Sequence, residues 1–219
     1  MRQLSRGPEP ALLKRFRGGR DAWEDLPAGD RQALWAALTA MQGEVCAYCE
    51  GQAAPGRRHI EHFRPRHRYP QHTFSWDNLF GNCGDTKTCG HRKDAPKARA
   101  YAVEDLIKPD EEDPDTFFHF VGDGSIAVRE GLAPRQTARA RETLRVLGLD
   151  EPAGGLRRRR RQALAYYVQL VDDWAAIADS VSSAELRGLF EEEVAAAVDQ
   201  EFSTAIRHLL LGPRPSAGC

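Results

Sequence analysis

Four cysteines lie close together in the sequence, between residues 46 and 89. Cys46 and Cys49 form a CxxC pair, and Cys83 and Cys89 form a second pair with five residues between them. A CxxC turn presents two sulfur atoms to one ion, and a second pair can complete a tetrahedral site. The set therefore favours structural zinc over the alternative, four buried free cysteines. The fifth cysteine, Cys219, lies in a tail rich in Gly and Pro and is not expected to bind a metal.

Polar side chains that suit hydrolysis accompany these cysteines. The motif HIEHFRP places Glu61 beside His62, Asn78 follows in WDNLF, and His91 and Lys93 lie in CGHRK. A phosphodiester repels hydroxide, so its hydrolysis needs a cation at the phosphate and a base that takes a proton from water. A neutral histidine can be that base. Because oxygen ligands from Glu61 and Asn78 suit Mg²⁺, the pattern indicates a hydrolytic site with a second, hard metal ion.

The order of these motifs resembles the HNH endonuclease family. CAYCE, HIEHFRP, WDNLF and TCG with a nearby lysine are most similar to the HNH nucleases of Septu-type and retron-associated antiphage systems. The resemblance implies a metal-dependent endonuclease of an antiphage complex, with structural Zn²⁺, catalytic Mg²⁺ or a similar cation, and an SMC/ABC-type ATPase as partner. DNA is the expected substrate. RNA, including tRNA, stays open, as does a zinc-stabilised binding or adaptor module without catalysis.

The resemblance also implies a role for each residue of the site. His62 matches the general base, Glu61 matches the acidic metal ligand before it, and Asn78 matches the central asparagine that ligates the metal or orients the base. Many family members have His or Asn directly after the last cysteine, whereas this chain has Gly90 there and the histidine follows as His91. The implied ligands of the catalytic cation are therefore Glu61, Asn78 and His91.

Basic residues surround this motif and favour a phosphate-bearing partner. The chain as a whole carries a net charge of −1, but residues 57–99 hold ten Lys and Arg residues against four acids. This segment is therefore at +6 and the remainder at −7, and local charge is what attracts nucleic acid. His59 is interpreted as a surface histidine or one that supports a ligand, in preference to an extra ligand or a phosphate contact. The side chains expected to contact the nucleic-acid backbone are Arg64, Arg66, Arg68 and Lys93.

The elements that carry these residues are expected to form an α+β, mostly helical chain. Residues 1–43 are predicted to be an irregular arm and a helix that begins at Asp30 and ends at Gly43. Residues 44–103 are the HNH module, for which the resemblance implies a zinc-stabilised ββα-metal fold. Residues 104–219 are predicted to contain an acidic connection, a short hairpin and a helical region.

Patterns within the last segment predict its individual elements. The acidic stretch 104–115 is expected to be solvated, and TFFHFVGDGSIAV is predicted to be a hairpin. Ser182 and Glu185 form a capping box that starts a last helix carrying apolar residues as far as Leu209. The run Arg157–Arg161 opens the preceding helix, where its charge opposes the helix dipole, so it favours an acidic partner or nucleic acid. That helix is expected to be buried along a stripe of Leu164, Val168, Val171, Ala175 and Ala178.

Composition favours a cytoplasmic protein without a membrane partner. No stretch approaches the roughly 20 consecutive apolar residues that a membrane helix needs, and the first residues contain no apolar signal core. An odd number of cysteines without an export signal also argues against a disulfide framework.

Overall fold

The computed structural model describes residues 1–152 and 155–213, which form six α-helices and four β-strands. The strands are β1 (Arg58–His62), β2 (Leu79–Cys83), β3 (Phe118–Phe120) and β4 (Ile126–Val128). The helices are α1 (Ala28–Gln42), α2 (Cys89–Lys93), α3 (Pro134–Leu147), α4 (Leu156–Ile177), α5 (Ser183–Ala196) and α6 (Ser203–Leu211). This mixed, mainly helical content agrees with the predicted fold class. The tail that carries Cys219 lies outside the described residues.

Helix α1 connects the N-terminal arm to the first sheet. It begins at Ala28, so Asp30 lies in the first helical turn rather than before it, where its carboxylate still faces the positive end of the helix dipole. Leu34 and Leu38 are buried apolar residues of this helix. Gly43 ends the helix with a φ of 71°, a conformation that a residue with a Cβ adopts only with strain.

Strands β1 and β2 pair antiparallel, with His62 opposite Leu79. The buried side chain of Gln42, the last residue of α1, attaches the helix to this sheet. Its Nε2 donates to the Val45 and Gly81 carbonyl oxygens at 2.6 and 2.8 Å, and its Oε1 accepts from the Gly81 N–H at 2.9 Å. Helix α2 follows β2 along the chain. The order β1, β2, α2 is compatible with the ββα arrangement that the resemblance implies.

Two buried hydrophobic clusters hold these elements together. The larger one surrounds the cysteines and draws residues from Met1 to Leu210. The smaller one joins the arm and α1 to the loop before β2 through Leu13, Trp23, Leu26, Leu34, Leu38, Phe74, Trp76 and Leu79. Both clusters cross a predicted domain boundary, and the division at residues 43 and 103 stays a prediction.

The acidic segment 104–115 differs from the predicted solvated connection. Ile107 is completely buried within it. Basic side chains from distant parts of the chain neutralise the acids: Arg6 pairs with Asp110, and Arg139 pairs with Glu112. Because the compensating charges lie far away in sequence, local composition gives the appearance of a solvated segment.

The predicted hairpin and capping box are confirmed. β3 pairs antiparallel with β4, and the Ser182 hydroxyl accepts the Glu185 N–H at 3.2 Å. The prediction of a single last helix is wrong, because the helical region is divided into α5 and α6. Just before α6, Phe202 has a φ of 58°, and its N–H donates to the Glu50 carbonyl at 3.0 Å. That hydrogen bond ties the start of α6 to the residue after Cys49.

The buried face of α4 also differs from the predicted stripe. Leu164 is buried as predicted, but Val168 is 38% exposed. The buried positions of the helix are Leu156, Arg160, Leu164 and Tyr167. No helix among residues 1–152 and 155–213 combines the length and the apolar surface that crossing a bilayer requires.

Three of the five arginines at the start of α4 form contacts within the chain. Arg160 is buried, and its guanidinium donates to the carbonyl oxygens of Gly124 and Leu149. Two further members of the run form ion pairs at 2.8 Å, Arg157 with Asp150 and Arg159 with Asp85. These contacts offset the unfavourable position of the run at a helix N-terminus.

Replacing Arg160 with alanine is expected to lower the free energy of unfolding by about 3 kcal/mol, because two buried carbonyl oxygens lose their donors. Arg158, an exposed residue of the same run, provides the matched control. Its replacement by alanine is expected to change stability by less than about 0.5 kcal/mol. Urea unfolding followed by circular dichroism measures both values. Equal losses in the two variants would contradict this assignment.

Candidate active site and metal centre

The four cysteines of residues 46–89 converge on one point. Their sulfur atoms all lie within 4.8 Å of one another, and all four residues are buried. The Sγ atoms of Cys46 and Cys89 are 3.7 Å apart, and those of Cys49 and Cys83 are 3.9 Å apart. Tetrahedral ligation with Zn–S distances of about 2.3 Å places the sulfur atoms about 3.8 Å from one another. The cluster therefore fits a metal such as zinc.

The cysteines also determine where the neighbouring elements lie. Cys83 is the last residue of β2 and Cys89 is the first residue of α2, while Cys46 and Cys49 lie in a tight turn. In that turn the Gly51 N–H donates to Cys49 Sγ at 3.4 Å, a contact suited to a thiolate. A metal bound here would fix α2 against β2 and thereby set the position of every side chain on that short helix.

A cleft of about 420 Å³ lies between β1 and α2. Its walls carry His59, Glu61 and His62 from β1, His91 from α2, and Arg66 from the loop that follows β1. Three of the four residues predicted to be catalytic thus line one cleft, although two of them are 30 positions apart in the sequence. This cleft is the candidate active site.

His62 is held in one orientation at the end of β1. Its Nε2 lies 3.0 Å from the Thr73 carbonyl oxygen, and the Trp23 ring packs edge-on against it with 4.5 Å between centroids. A carbonyl only accepts, so Nε2 carries the proton and Nδ1 keeps its lone pair. Burial lowers the pKa of His62 to about 4, although Glu61 acts to raise it. The ring is therefore neutral at physiological pH.

Glu61 is an ionised carboxylate held by Lys93. Its Oε1 lies 2.9 Å from Lys93 Nζ. Burial acts to raise the pKa of Glu61, but Lys93 and His59 outweigh burial and lower this pKa to about 2. Lys93 is itself buried and also donates to Asp94 at 2.8 Å and to the His62 carbonyl at 3.0 Å. Because protein groups enclose the Lys93 ammonium, it is not exposed for the predicted phosphate contact.

Asn78 is completely buried, and its amide is occupied by backbone groups. Oδ1 accepts the Arg64 N–H at 2.7 Å, and Nδ2 donates to the carbonyl oxygens of Arg64 and His72 at 3.1 and 3.0 Å. These bonds hold together the loop between β1 and β2, which also carries Thr73. In this structure Asn78 fixes the loop that orients His62 and presents no free oxygen to the cleft.

Two further histidines stack on each other at the wall of the cleft. The rings of His59 and His91 lie 4.0 Å apart between centroids, at an angle of 36°. His59 Nε2 is 3.4 Å from Glu61 Oε2. Burial and the nearby His59 lower the pKa of His91. A neutral imidazole is the form that binds a metal ion.

The three arginines after β1 keep part of their side chains exposed. Arg66 and Arg64 each approach an acidic side chain, at 2.8 and 3.8 Å. Arg68 donates to the Tyr101 carbonyl oxygen at 2.9 Å. Arg66 lies in the wall of the cleft. Because each guanidinium remains accessible, the predicted contact with a nucleic-acid backbone stays a prediction for these three residues.

Trp23 and Thr73 shape the site without having been predicted to belong to it. Thr73 contributes a carbonyl oxygen, which every residue has, so no pattern of residue types could have identified it. Trp23 lies 39 positions before His62 in a polar arm. A lone tryptophan in such a segment indicates that its ring is buried, but the sequence does not show which residues the ring packs against.

A similar protein from Vibrio cholerae serotype O1 biovar El Tor is named as a candidate HNH endonuclease of retron Vc95. It is 27% identical to this chain over 138 residues, which are 60% of this chain and 64% of the relative. The chain thus spans less than two thirds of the length of that relative. No protein-family model matches the chain. This distant similarity supports a nuclease of the HNH class.

Gly90 accounts for the departure from the HNH pattern after the last cysteine. A Cβ at this position would lie 2.0 Å from Glu61 Oε2 and 2.9 Å from His59 Nε2. The carboxylate cannot retreat without losing its ion pair with Lys93. Glycine therefore gives Glu61 room against α2, and the first side chain that α2 offers to the cleft belongs to His91.

Replacing Gly90 with alanine is expected to lower the free energy of unfolding by about 1–3 kcal/mol through overpacking. Gly188 in α5 is the matched control, because among the described residues no atom lies within 4 Å of a Cβ added there. Gly188→Ala is expected to stabilise the protein by about 0.5–1 kcal/mol, since alanine is favoured in helices. Thermal unfolding of both variants makes the comparison. A stabilising Gly90→Ala would show that the space beside Glu61 is not needed.

Proposed function

We propose that this protein is a metal-dependent nuclease of the HNH type that hydrolyses phosphodiester bonds in nucleic acid. The observation that carries the proposal is the state of His62, a neutral imidazole whose Nε2 is bonded to the Thr73 carbonyl. Its Nδ1 is thereby free to act as a base beside an ionised Glu61. The distant similarity to an HNH endonuclease supports the same function.

In the proposed mechanism His62 takes the proton of the attacking water on Nδ1. Its orientation is maintained from two sides, by the Thr73 carbonyl and by the Trp23 ring. Because folding has already fixed the imidazole, no orientational freedom must be lost when the substrate binds. Asn78 contributes by holding the loop that carries Thr73.

Glu61 and His91 are the proposed protein ligands of a divalent cation in the cleft. Their chemistry fits such an ion, since one is a buried, ionised carboxylate and the other an imidazole whose pKa is lowered. When bound, the cation supplies positive charge at the scissile phosphate and the leaving oxygen. Lys93 keeps the Glu61 carboxylate ionised and in place. In the cysteine cluster, the proposed ion is structural Zn²⁺.

DNA is the proposed substrate, and the basic surface around the cleft supports a phosphate-bearing partner. Arg66 lines the cleft, and Arg64 and Arg68 lie in the same loop after β1 with side chains that are at least partly exposed. Such contacts bind the backbone of either nucleic acid without reading its sequence. A cleavage assay on both substrates therefore decides between DNA and RNA.

The proposed partner is an SMC/ABC-type ATPase of an antiphage system, on the strength of the resemblance in the motifs. Exposed apolar side chains on and after α4 suit a protein contact: Tyr166 (60% exposed), Val168 (38%), Ile177 (43%) and Val198 (56%). Co-expression with an ATPase encoded beside this gene is expected to yield a complex. A chain that purifies alone under those conditions would contradict the proposed partnership.

A cleavage assay tests the proposed function. The purified chain, alone and with its ATPase, is incubated with supercoiled plasmid or tRNA in the presence of Mg²⁺ or Mn²⁺. We expect the plasmid to be cut, the reaction to stop with EDTA and to resume when the cation is restored. Cleavage of tRNA alone would replace DNA by RNA as the substrate. Tight binding without cleavage under every condition would instead identify a catalytically inactive binding module.

A further inference from the structure

We propose that His59 is a direct ligand of the catalytic cation, and that the cleft binds a transition-metal dication through His59, Glu61 and His91. This inference rests on the proposed metal-dependent function and changes its ligand set. It adds His59, a residue that the motif resemblance does not include, to the ligands Glu61 and His91. It also changes the preferred ion from Mg²⁺ to Mn²⁺ or a related metal.

The geometry of β1 places two donor atoms together. His59 and Glu61 are two positions apart on the strand, so their side chains project from the same face. His59 Nε2 and Glu61 Oε2 are 3.4 Å apart. Two ligands at about 2.1 Å from one ion are separated by about 3.0–3.4 Å, for bond angles between square and tetrahedral. The pair therefore already has the separation of two ligands of one cation.

The facing helix packs closely against these two atoms. A Cβ on Gly90 would approach Glu61 Oε2 at 2.0 Å and His59 Nε2 at 2.9 Å, so only a residue without a side chain lets both donors lie against α2. Lys93 binds the other oxygen of the carboxylate, Oε1, and leaves Oε2 turned towards His59. The two oxygens of Glu61 thus have separate partners, a lysine on one side and the proposed cation on the other.

The ring of His59 is poorly satisfied by protein groups. Its Nδ1 is buried and has no hydrogen-bond partner among residues 1–152 and 155–213. The contact of its Nε2 with Glu61, at 3.4 Å, is long for a hydrogen bond. Buried polar atoms are normally paired, and unpaired ones call for an explanation. Ligation at Nε2 would replace this long contact with a coordinate bond.

His91 can complete the ligand set by changing its rotamer. Its ring stacks on that of His59 with 4.0 Å between centroids. Among the described residues, only the four cysteines have all their donor atoms within 4.8 Å of one another, so His91 must change its rotamer to join the pair. Its side chain is exposed and can rotate without disturbing the core.

A set of two imidazoles and one carboxylate has a different metal preference from an oxygen-only set. Asn78 cannot replace an imidazole here, because both of its amide atoms are bonded to backbone groups. Mg²⁺ favours oxygen ligands, whereas imidazole suits transition metals. Mn²⁺, Co²⁺, Ni²⁺ and Zn²⁺ are therefore expected to bind the cleft more tightly than Mg²⁺.

Metal binding, rather than activity, tests the proposal. The full zinc-loaded chain is titrated with Mn²⁺, and free Mn²⁺ is measured by electron paramagnetic resonance. The wild type is expected to bind one Mn²⁺, with affinity at least about tenfold weaker in His59→Ala and in the more conservative His59→Gln. Glu61→Gln, which changes a proposed ligand, is the positive control for weaker binding. His67 is an exposed histidine after β1, and His67→Ala is expected to bind Mn²⁺ as the wild type does. Mg²⁺ is expected to displace Mn²⁺ only in large excess.

The outcomes distinguish a failure of the proposed role of His59 from a failure of the proposed nuclease function. Weaker binding in Glu61→Gln together with wild-type affinity in both His59 variants would overturn the role of His59 and leave the metal-dependent nuclease intact. Displacement of Mn²⁺ by equimolar Mg²⁺ would overturn the nitrogen-rich ligand set in the same way. A wild type that binds no cation beyond zinc would overturn both proposals. Zinc content and melting temperature of each variant confirm that the change is local.

Discussion

Cleavage by the His62→Ala variant is expected to be slower than cleavage by the wild type by about two to four orders of magnitude. His62 Nδ1 is the proposed acceptor of the proton from water, because Nε2 is committed to the Thr73 carbonyl. Alanine removes that acceptor and leaves Glu61 and His91 in place. Single-turnover cleavage rates at saturating cation and enzyme measure the chemical step directly.

The matched control for His62 is again His67→Ala, which removes an exposed imidazole from the loop after β1. This variant is expected to cleave at the wild-type rate. Mn²⁺ titration is expected to give the same affinity for His62→Ala as for the wild type, since His62 is not a proposed ligand. A folded, metal-binding His62→Ala that cleaves at the wild-type rate would rule out His62 as the general base.

The lowered pKa of His62 gives the same reaction a characteristic pH dependence. Only the neutral imidazole accepts a proton, and burial lowers the pKa to about 4. As pH falls, the rate is therefore expected to hold through the ordinary histidine pKa of about 6.5 and to decline only towards the lower value. The profile is measured over the range in which circular dichroism shows a folded chain. A half-maximal rate near the ordinary value would contradict the buried, neutral state of His62.

Replacing Cys89 with serine is expected to release the zinc and to unfold the region around the cleft. Cys89 is the first residue of α2, and its sulfur is 3.7 Å from that of Cys46. Structural zinc contributes about 10–16 kcal/mol of binding free energy in small zinc modules, which is comparable with the total stability of a typical domain. We expect zinc per chain to fall from one to near zero, with loss of both cooperative unfolding and cleavage.

The control for Cys89 is the fifth cysteine of the sequence, Cys219, which is not an expected ligand. Cys219→Ser is expected to retain one zinc per chain and full cleavage. Elemental analysis of the purified variants and calorimetric unfolding provide the two measurements. If Cys89→Ser retained its zinc and its melting temperature, the cysteine cluster would not be a structural metal site.

The motifs with local chemical requirements could be found without a structure. A zinc site needs sulfur atoms at defined spacings, so Cys46 and Cys49 reveal it by themselves, and their meeting with the second pair is confirmed. Glu61 and His62 are adjacent in the sequence, so they lie near each other in any fold. The capping box at Ser182 is likewise a contact between near neighbours. In each case the sequence pattern spans few residues, and residue type alone reveals it.

Other features depend on pairings over long stretches of chain. The state of Glu61 depends on Lys93, and the orientation of His62 depends on Trp23 and on the carbonyl oxygen of Thr73. Lys93 is therefore buried against Glu61 and is not exposed for the predicted phosphate contact. The acidic segment 104–115 differs from prediction for the same reason, because Arg139 compensates its charge from a distant part of the sequence, and Arg159 of the arginine run likewise pairs with the distant Asp85.

Residue types and short spacings thus determine which chemistry this chain can carry out, namely metal ligation by cysteines and proton transfer by a histidine beside a carboxylate. Packing determines the states in which those groups exist. Burial sets the pKa of His62, an enclosed ammonium keeps Glu61 ionised, and the absence of a side chain at Gly90 lets Glu61 and His59 approach α2. Charge, protonation and donor spacing depend on every neighbour in three dimensions, and a linear pattern contains only the neighbours along the chain.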